Sequence, residues 1–243
     1  VSTAFVAGDY RGSFSEADHD LGQRFHNSYE RSKFEAEALV QAEADLPFTI
    51  VRPSIVVGER RTGWTASFNV LYWPLRALSR GLLATMPAVL EAPVDAVSID
   101  YVADAIHELV EGEAGIGATY HLTAGPDCCS SIAELGALAS RYFRVAVPRV
   151  VTAEEFQRVP LPRAQREALA AGSEYFPYFC MEGGFDDRAT RERLAPLGIA
   201  PSPLCDYLET LLDFATASRW GKRPIARFQT LAADRALALK AAS

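Results

Sequence analysis

Between residues 1 and 58 the chain is apolar, then polar at helical spacing, then apolar again, with short links. V-S-T-A-F-V-A-G (1–8) reads as a buried strand that ends at a glycine. Residues 25–44 read as a helix, and P-F-T-I-V-R-P-S-I-V-V-G (47–58) as a strand interrupted at Pro53. Two strands joined through a helix cannot form a hairpin. They require a parallel pair with a crossover, so the pattern predicts an α/β architecture around a parallel sheet.

The expected helix contains N-S-Y-E-R-S-K-F-E-A-E (27–37), in which Tyr29 and Lys33 lie four apart. Residues i and i+4 share a helix face, so the phenol and the ammonium point the same way. A cation nearby favours the phenolate, and a tyrosine so placed can exchange a proton with a substrate oxygen. With nine Tyr and three Lys in the chain, chance supplies about 0.1 such pairs. The pair taken alone is equally an ordinary exposed helix pair. Glu30, Glu35, Glu37 and Glu43 mark the expected solvated side of this helix, and Ala36, Leu39 and Val40 its buried stripe.

Residues 9–24 are polar, with Gly12 and Gly22, and read as an irregular loop. Trp64 to Gly81 is expected to be a second helix, with Phe68, Leu71, Leu75 and Leu78 at helical spacing and its aromatics in core packing. Residues 82–93, with Pro87 and Pro93, read as loop. V-S-I-D (97–100) ends a short strand, and Asp100 is expected to cap the helix Tyr101 to Glu111. A-T-Y-H-L-T-A (118–124) is a strand before a Gly-Pro-Asp turn. His121 in it is expected to be a satisfied, partly buried histidine rather than a ligand. Residues 131–143 are a helix capped by Ser130 or Ser131. Beyond about 150 the pattern is helical, broken by Pro160 and Pro162. The aromatic stretch 175–187 reads as a folded loop, followed by helices at 188–197, 203–218 and 225–243. This divides the chain into 1–150 and a mainly helical 151–243.

A net charge of −7, with basic residues scattered, argues against a nucleic-acid surface. No apolar run approaches 18 residues, and no basic and apolar leader opens the chain. The four cysteines (128, 129, 180, 205) lack C-x-x-C or histidine spacing, so neither zinc nor a disulfide framework is expected. A cytoplasmic location is the expectation. Val1 already lies inside an apolar run and is not a methionine, so a preceding N-terminal part is expected.

Four segments now stand in order: S-T-A-F-V-A-G, N-S-Y-E-R-S-K-F-E-A-E, I-V-R-P-S-I-V-V-G and V-S-I-D-Y-V-A-D-A-I. Together they resemble an extended short-chain dehydrogenase/reductase. They are most similar to its fatty acyl-CoA and thioester reductase branch, the male-sterility type. Y-H-L-T-A-G (120–125) and the later F-D-D, L-G-I and R-W-G-K are similar more loosely. The resemblance implies the C-terminal part of a Rossmann-type doubly wound parallel sheet with a small, mainly helical substrate-side region. It implies Tyr29 as general acid/base and Lys33 as the residue that tunes it and holds the nicotinamide ribose. It implies Thr3, with Ser2 as the alternative, as the hydroxyl on the substrate carbonyl oxygen. Pro53 and Ser54 would border the nicotinamide, and Asn27 would join the substrate site. NADP is favoured over NAD, no metal is implied, and the substrate is a small molecule such as an acyl thioester, aldehyde or ketone. The resemblance leaves a homo-oligomer open.

One departure is large. The family's G-x-x-G-x-x-G phosphate loop does not occur in these 243 residues; its backbone would approach the pyrophosphate at a helix N-terminus. Gly115-Ile116-Gly117 precedes a strand and is no substitute. Two other functions are therefore carried beside a reductase: a sugar-nucleotide epimerase or dehydratase, which would use the same tyrosine and lysine, and a non-catalytic module that keeps the fold.

Overall fold

The computed structural model describes residues 1–43, 45–111, 115–170 and 172–241. Positions 44, 171 and 242–243, which fall within or at the end of expected helical stretches, lie outside them. The strands are short and pair mostly in parallel. β1 (Ser13–Phe14) comes first, then helix α1 (Ser28–Ala42), β2 (Ile50–Pro53) and β3 (Ile55–Val57). Next come α2 (Tyr72–Ser79), β4 (Thr85–Pro87), β5 (Pro93–Val94), β6 (Ala96–Ser98) and α3 (Ile99–Glu111). β7 (Thr119–Leu122), β8 (Ser130–Ser131), α4 (Ile132–Phe143) and β9 (Arg149–Val151) follow. Last are α5 (Ala153–Arg158), α6 (Arg163–Ala170), β10 (Gly184–Phe185), α7 (Arg188–Leu194), α8 (Leu204–Ala217) and α9 (Arg227–Ala241).

The expected strand at 47–58 is present and changes partner half-way. β2 pairs in parallel with β7, Ile50 opposite Thr119 and Pro53 opposite Leu122. β3 pairs in parallel with β6, Ile55 opposite Ala96. The ladder therefore forks at Ser54, whose amide donates to Leu122 O while the amide of Ile55 donates to Asp95 O. On the other side of β2 runs the start of the chain, where Ser2 N donates to Val51 O at 2.8 Å.

Residues 2–8 are buried as expected, Val1 is exposed, and the stretch is not a strand. After an extended start the chain winds into a 3-10 turn, Ala4–Ala7. Two local causes act. The Thr3 hydroxyl caps the turn by accepting from Phe5 N, and Pro53 has no amide hydrogen with which to continue the pairing. Gly8 then reverses direction at φ +53°, where a Cβ would lie 2.3 Å from Arg24 O.

α1 forms where expected, capped by Asn27 Oδ1, which accepts from Glu30 N at 3.0 Å. Glu35 and Glu43 are exposed as expected, but the rest of the expected pattern is reversed. Leu39 is 71% exposed, Ala36 is exposed and Val40 is half-buried. Glu30 (0%) and Glu37 (3%) are the side chains it buries. The reason lies in β2. Arg52 is fully buried and clasps Glu37 with Nε at 3.0 Å and Nη2 at 2.6 Å. Its Nη1 donates to Asp18 O and lies 3.3 Å from His121 Nε2. Buried charges persist only when paired, and the pairing sets which face of α1 turns inward.

Two further differences have similar origins. The expected helix 64–81 is confined to Tyr72–Ser79, because Thr65 and Ser67 form a local turn and Val70 sits at φ 36°. Phe68 stacks on Phe214 at 6.1 Å and meets Trp220, so tertiary packing overrides the helical spacing. Asp100 does not cap α3. Ser98 Oγ accepts from Tyr101 N, and Asp100 instead accepts from the backbone amide and Nε of Arg60. Within the expected loops, 82–93 contains β4 and the start of β5, and 175–187 contains most of a 3-10 turn (Ser173–Phe179) and β10.

His121 is satisfied as expected and completely buried, with Nδ1 2.9 Å from Asp186 O. Burial and the neighbouring Arg52 guanidinium lower its pKa to about 3. The folded ring therefore refuses a proton that the unfolded chain accepts below about 6.5. Stability is expected to fall as pH drops through the window from about 6.5 to about 3, by up to about 1.4 kcal/mol per pH unit. Denaturant midpoints measured across that window test this, and a His121→Gln variant should show the shallower slope. Equal slopes would mean that the ring already carries its proton in the folded protein.

Candidate active site

The first turn of α1, the start of the chain and the fork after β2 converge on one cavity of about 480 Å³. Ser2 and Thr3 line it from one side, and Asn27, Tyr29 and Lys33 from α1. Pro53 and Ser54 line it at the fork. All seven residues singled out in the sequence are thus in one place, although they come from three separate segments.

Their local bonding differs. The Tyr29 side of α1 faces outward, and the residue is 51% exposed. Lys33 Nζ donates to Val1 O at 2.9 Å, which fixes the ammonium across the mouth of the cavity. Thr3 is buried; its hydroxyl donates to Pro53 O at 3.4 Å, a long bond, while accepting from Phe5 N. Ser2 Oγ is buried and has no hydrogen-bond partner; Ser54 is buried beside the Asp95 carboxyl, whose proton affinity its hydroxyl lowers. A buried hydroxyl without a partner costs about 1–3 kcal/mol, so Ser2 is poised to bond a bound group. Asn27 has both ends of its amide engaged: Oδ1 caps α1, and Nδ2 donates to Tyr178 Oη at 2.8 Å. It therefore acts on the site by holding Tyr178.

The facing wall consists of Asn69, Val70, Glu174, Tyr175 and Tyr178. None was singled out as a site residue. The signal for the two tyrosines was the aromatic density of Y-F-P-Y-F (175–179); nothing in the sequence marks Asn69. Val70, β-branched and at positive φ, is a backbone outlier of the kind that collects at functional sites. Among the described residues lining the cavity, Lys33 is the one Lys or Arg side chain and Glu174 the one carboxylate.

A phenol, an ammonium and two hydroxyls line the same cavity. Residues 1–106 match the family model described as male sterility protein. Solved structures agree on the architecture. The terminal R domain from the myxalamid PKS-NRPS biosynthetic pathway gives a TM-score of 0.72 at 23% identity, over 92% of this chain and 59% of that one. A thiolation-reductase di-domain from an archaeal non-ribosomal peptide synthetase gives 0.67 at 21%, over 90% and 48%. The UDP-glucuronic acid 4-epimerase from Bacillus cereus, solved with NAD, gives 0.61 at 16%, over 89% and 60%. The chain thus spans less than two thirds of each of these. No curated protein sequence matches it.

The cofactor that the resemblance implies is NAD(P), and the polar groups of the cavity are compatible with it. Ser2 Oγ is an orphaned buried donor there, and Lys33 and the half-exposed Tyr29 offer a cation and a hydroxyl. No helix among the described residues is long and apolar enough to cross a membrane.

Proposed function

We propose that this chain is the catalytic and substrate-side part of an NAD(P)H-dependent reductase acting on a carbonyl, foremost an acyl thioester. The observation that carries this reading is the convergence of Thr3, Tyr29 and Lys33 on one cavity. Bound NAD(P)H would supply the hydride. Lys33 and Tyr29 would hold the nicotinamide ribose, and Pro53 and Ser54 would border the ring. Residues 1–150 would form the C-terminal part of the Rossmann-like domain, and 151–243 the substrate-side region, represented in the cavity by Glu174, Tyr175 and Tyr178.

The substrate carbonyl would lie between Thr3 and Tyr29. As its carbon gains hydride, negative charge grows on its oxygen. Thr3 would leave its long bond to Pro53 O and donate to that oxygen, with Ser2 as the alternative donor. Tyr29 would deliver the proton from its phenol. On a thioester the resulting hydroxy-thioether expels its thiol and leaves an aldehyde.

The lining supports a reductase over a sugar-nucleotide epimerase. A nucleoside diphosphate calls for arginines or several lysines around its phosphates, and no arginine is among the described residues lining this cavity. In the full-length protein, mixing NADPH or NADH with an acyl N-acetylcysteamine thioester is expected to consume reduced cofactor as aldehyde forms. Interconversion of a nucleotide sugar with no net cofactor consumption would overturn the reading in favour of the epimerase. Failure of both would favour the non-catalytic module.

A further inference from the structure

Three buried side chains, Phe5, Ile55 and Tyr178, line the Tyr29 cavity and also a second cavity of about 410 Å³. They form the wall between the two spaces. The rings of Phe5 and Tyr178 meet edge to face with centroids 4.6 Å apart, which is contact distance for such a pair, so the wall is closed between them. On the far side Phe5 packs edge to face against Phe185 at 5.6 Å.

Both rings are tied to the residues of the proposed chemistry. Phe5 N donates to Thr3 Oγ1. Tyr178 Oη accepts from Asn27 Nδ2 at 2.8 Å, and Asn27 caps the helix that carries Tyr29. The Asn27 amide cannot be turned round: its oxygen accepts from Glu30 N, so its NH2 end must face Tyr178. The Glu30 carboxylate is a further partner of the Tyr178 hydroxyl. Glu30 is itself completely buried, accepts from His26 N at 2.8 Å and lies 3.2 Å from His26 Nδ1. Nothing in the proposed hydride and proton transfer uses this buried carboxylate. Its effect is on Tyr178. With its hydroxyl held inside the protein, Tyr178 shows the cavity its ring, and the ring cannot swing aside without leaving buried polar groups unpaired.

A thioester has two arms. The thiol arm departs during the reaction and so lies toward the mouth, where Tyr29 is half-exposed. The acyl arm then points inward, to the wall. We infer that Phe5, Ile55 and Tyr178 are a fixed stop that restricts the site to short-chain acyl thioesters, the second cavity being the space that a longer chain would need. Glu30 is a positioning residue for this stop and acts through Tyr178. This inference rests on the reductase reading above.

The test uses the full-length protein, NADPH or NADH, and two N-acetylcysteamine thioesters, butanoyl and decanoyl. Butanoyl is expected to exceed decanoyl in kcat/KM by about tenfold or more. Tyr178→Leu joins the two cavities, and the ratio should fall severalfold. Tyr178→Phe and Glu30→Gln keep the ring and loosen its ties, so each should lower the ratio by a smaller factor. The double variant should go no further than Tyr178→Phe alone, because Glu30 acts through that hydroxyl. A merely structural defect would lower both substrates together and leave the ratio fixed. Phe5→Leu opens the wall from the other side and decides the matter where Tyr178→Leu does not fold. Decanoyl reduced as well as butanoyl by the unaltered protein, or an unchanged ratio once the wall is opened, overturns the inference and leaves the reductase reading standing. An unchanged ratio in Glu30→Gln beside an altered one in Tyr178→Phe overturns the role of Glu30. If neither thioester is reduced, the reductase reading falls, and calorimetric titration with butanamide and decanamide decides the wall separately. Tighter decanamide binding in Tyr178→Leu than in the unaltered protein, with butanamide unchanged, sustains it; no such gain, or no binding, overturns it.

Discussion

Replacing Tyr29 by phenylalanine in the full-length protein is expected to lower kcat by about a hundred- to ten-thousandfold with no loss of folding. The two halves of this expectation come from different observations. The phenol stands in the cavity shared with Thr3 and Lys33, so its loss removes the proposed proton donor. It is also half-exposed, and no hydrogen bond from its oxygen to another described residue is formed, so its loss leaves no buried group unsatisfied. A structural tyrosine would behave the other way, with a lower Tm and intact turnover. Measuring kcat and Tm on the same preparation separates the two, and retained turnover would remove Tyr29 from the mechanism.

The largest expected effect on stability is elsewhere. Glu37→Gln leaves the Arg52 guanidinium buried and uncompensated, which costs about 3–5 kcal/mol. For a chain of this size that corresponds to a drop in Tm of roughly 6–20 °C. Arg52 reaches four groups at once: Glu37, Asp18 O, the His121 ring and the face of Phe14 at 5.5 Å. It joins α1 to β2, and so fixes the distance between Tyr29 and the Pro53–Ser54 edge of the cavity. Replacing both partners by Met should recover part of the loss, because no lone charge then remains. Thermal unfolding followed by circular dichroism reads the result, and a change of a degree or two would show that water reaches the pair.

The helix that carries Tyr29 and Lys33 was legible because a motif at i, i+4 spacing survives any rotation of the helix against the core. Its packing was not legible. Alternation of charge and apolarity assigned Leu39 to the core and Glu37 to solvent, and one arginine in the next strand reversed both. The clue was present in I-V-R-P, an arginine inside a buried strand, which calls for a carboxylate somewhere. Which of the carboxylates answers is a tertiary fact. The turn at Ala4–Ala7 was hidden for a similar reason: its residues are buried and apolar like those of a strand, and the capping by Thr3 depends on one hydroxyl rotamer. The residues lining the first wall were singled out through their motif. Those on the facing wall, Asn69, Val70, Glu174, Tyr175 and Tyr178, belong to segments more than a hundred residues apart at the extremes. Their meeting is made by packing, which single-chain periodicity does not encode.

Pro53 has a wider consequence than ending a run of hydrogen bonds. Two extended segments side by side tend to close like a zip, each bond bringing the next pair within reach. A missing tooth at position 53 stops that closure by covalent chemistry, independent of the packing around it. The Thr3 hydroxyl donates to Pro53 O, and from there the segments diverge. The wedge they leave contains Thr3, Ser54 and Ile55. The opening in which chemistry can occur is thus held apart by a ring that cannot donate, and it requires no bound molecule to keep it from sealing.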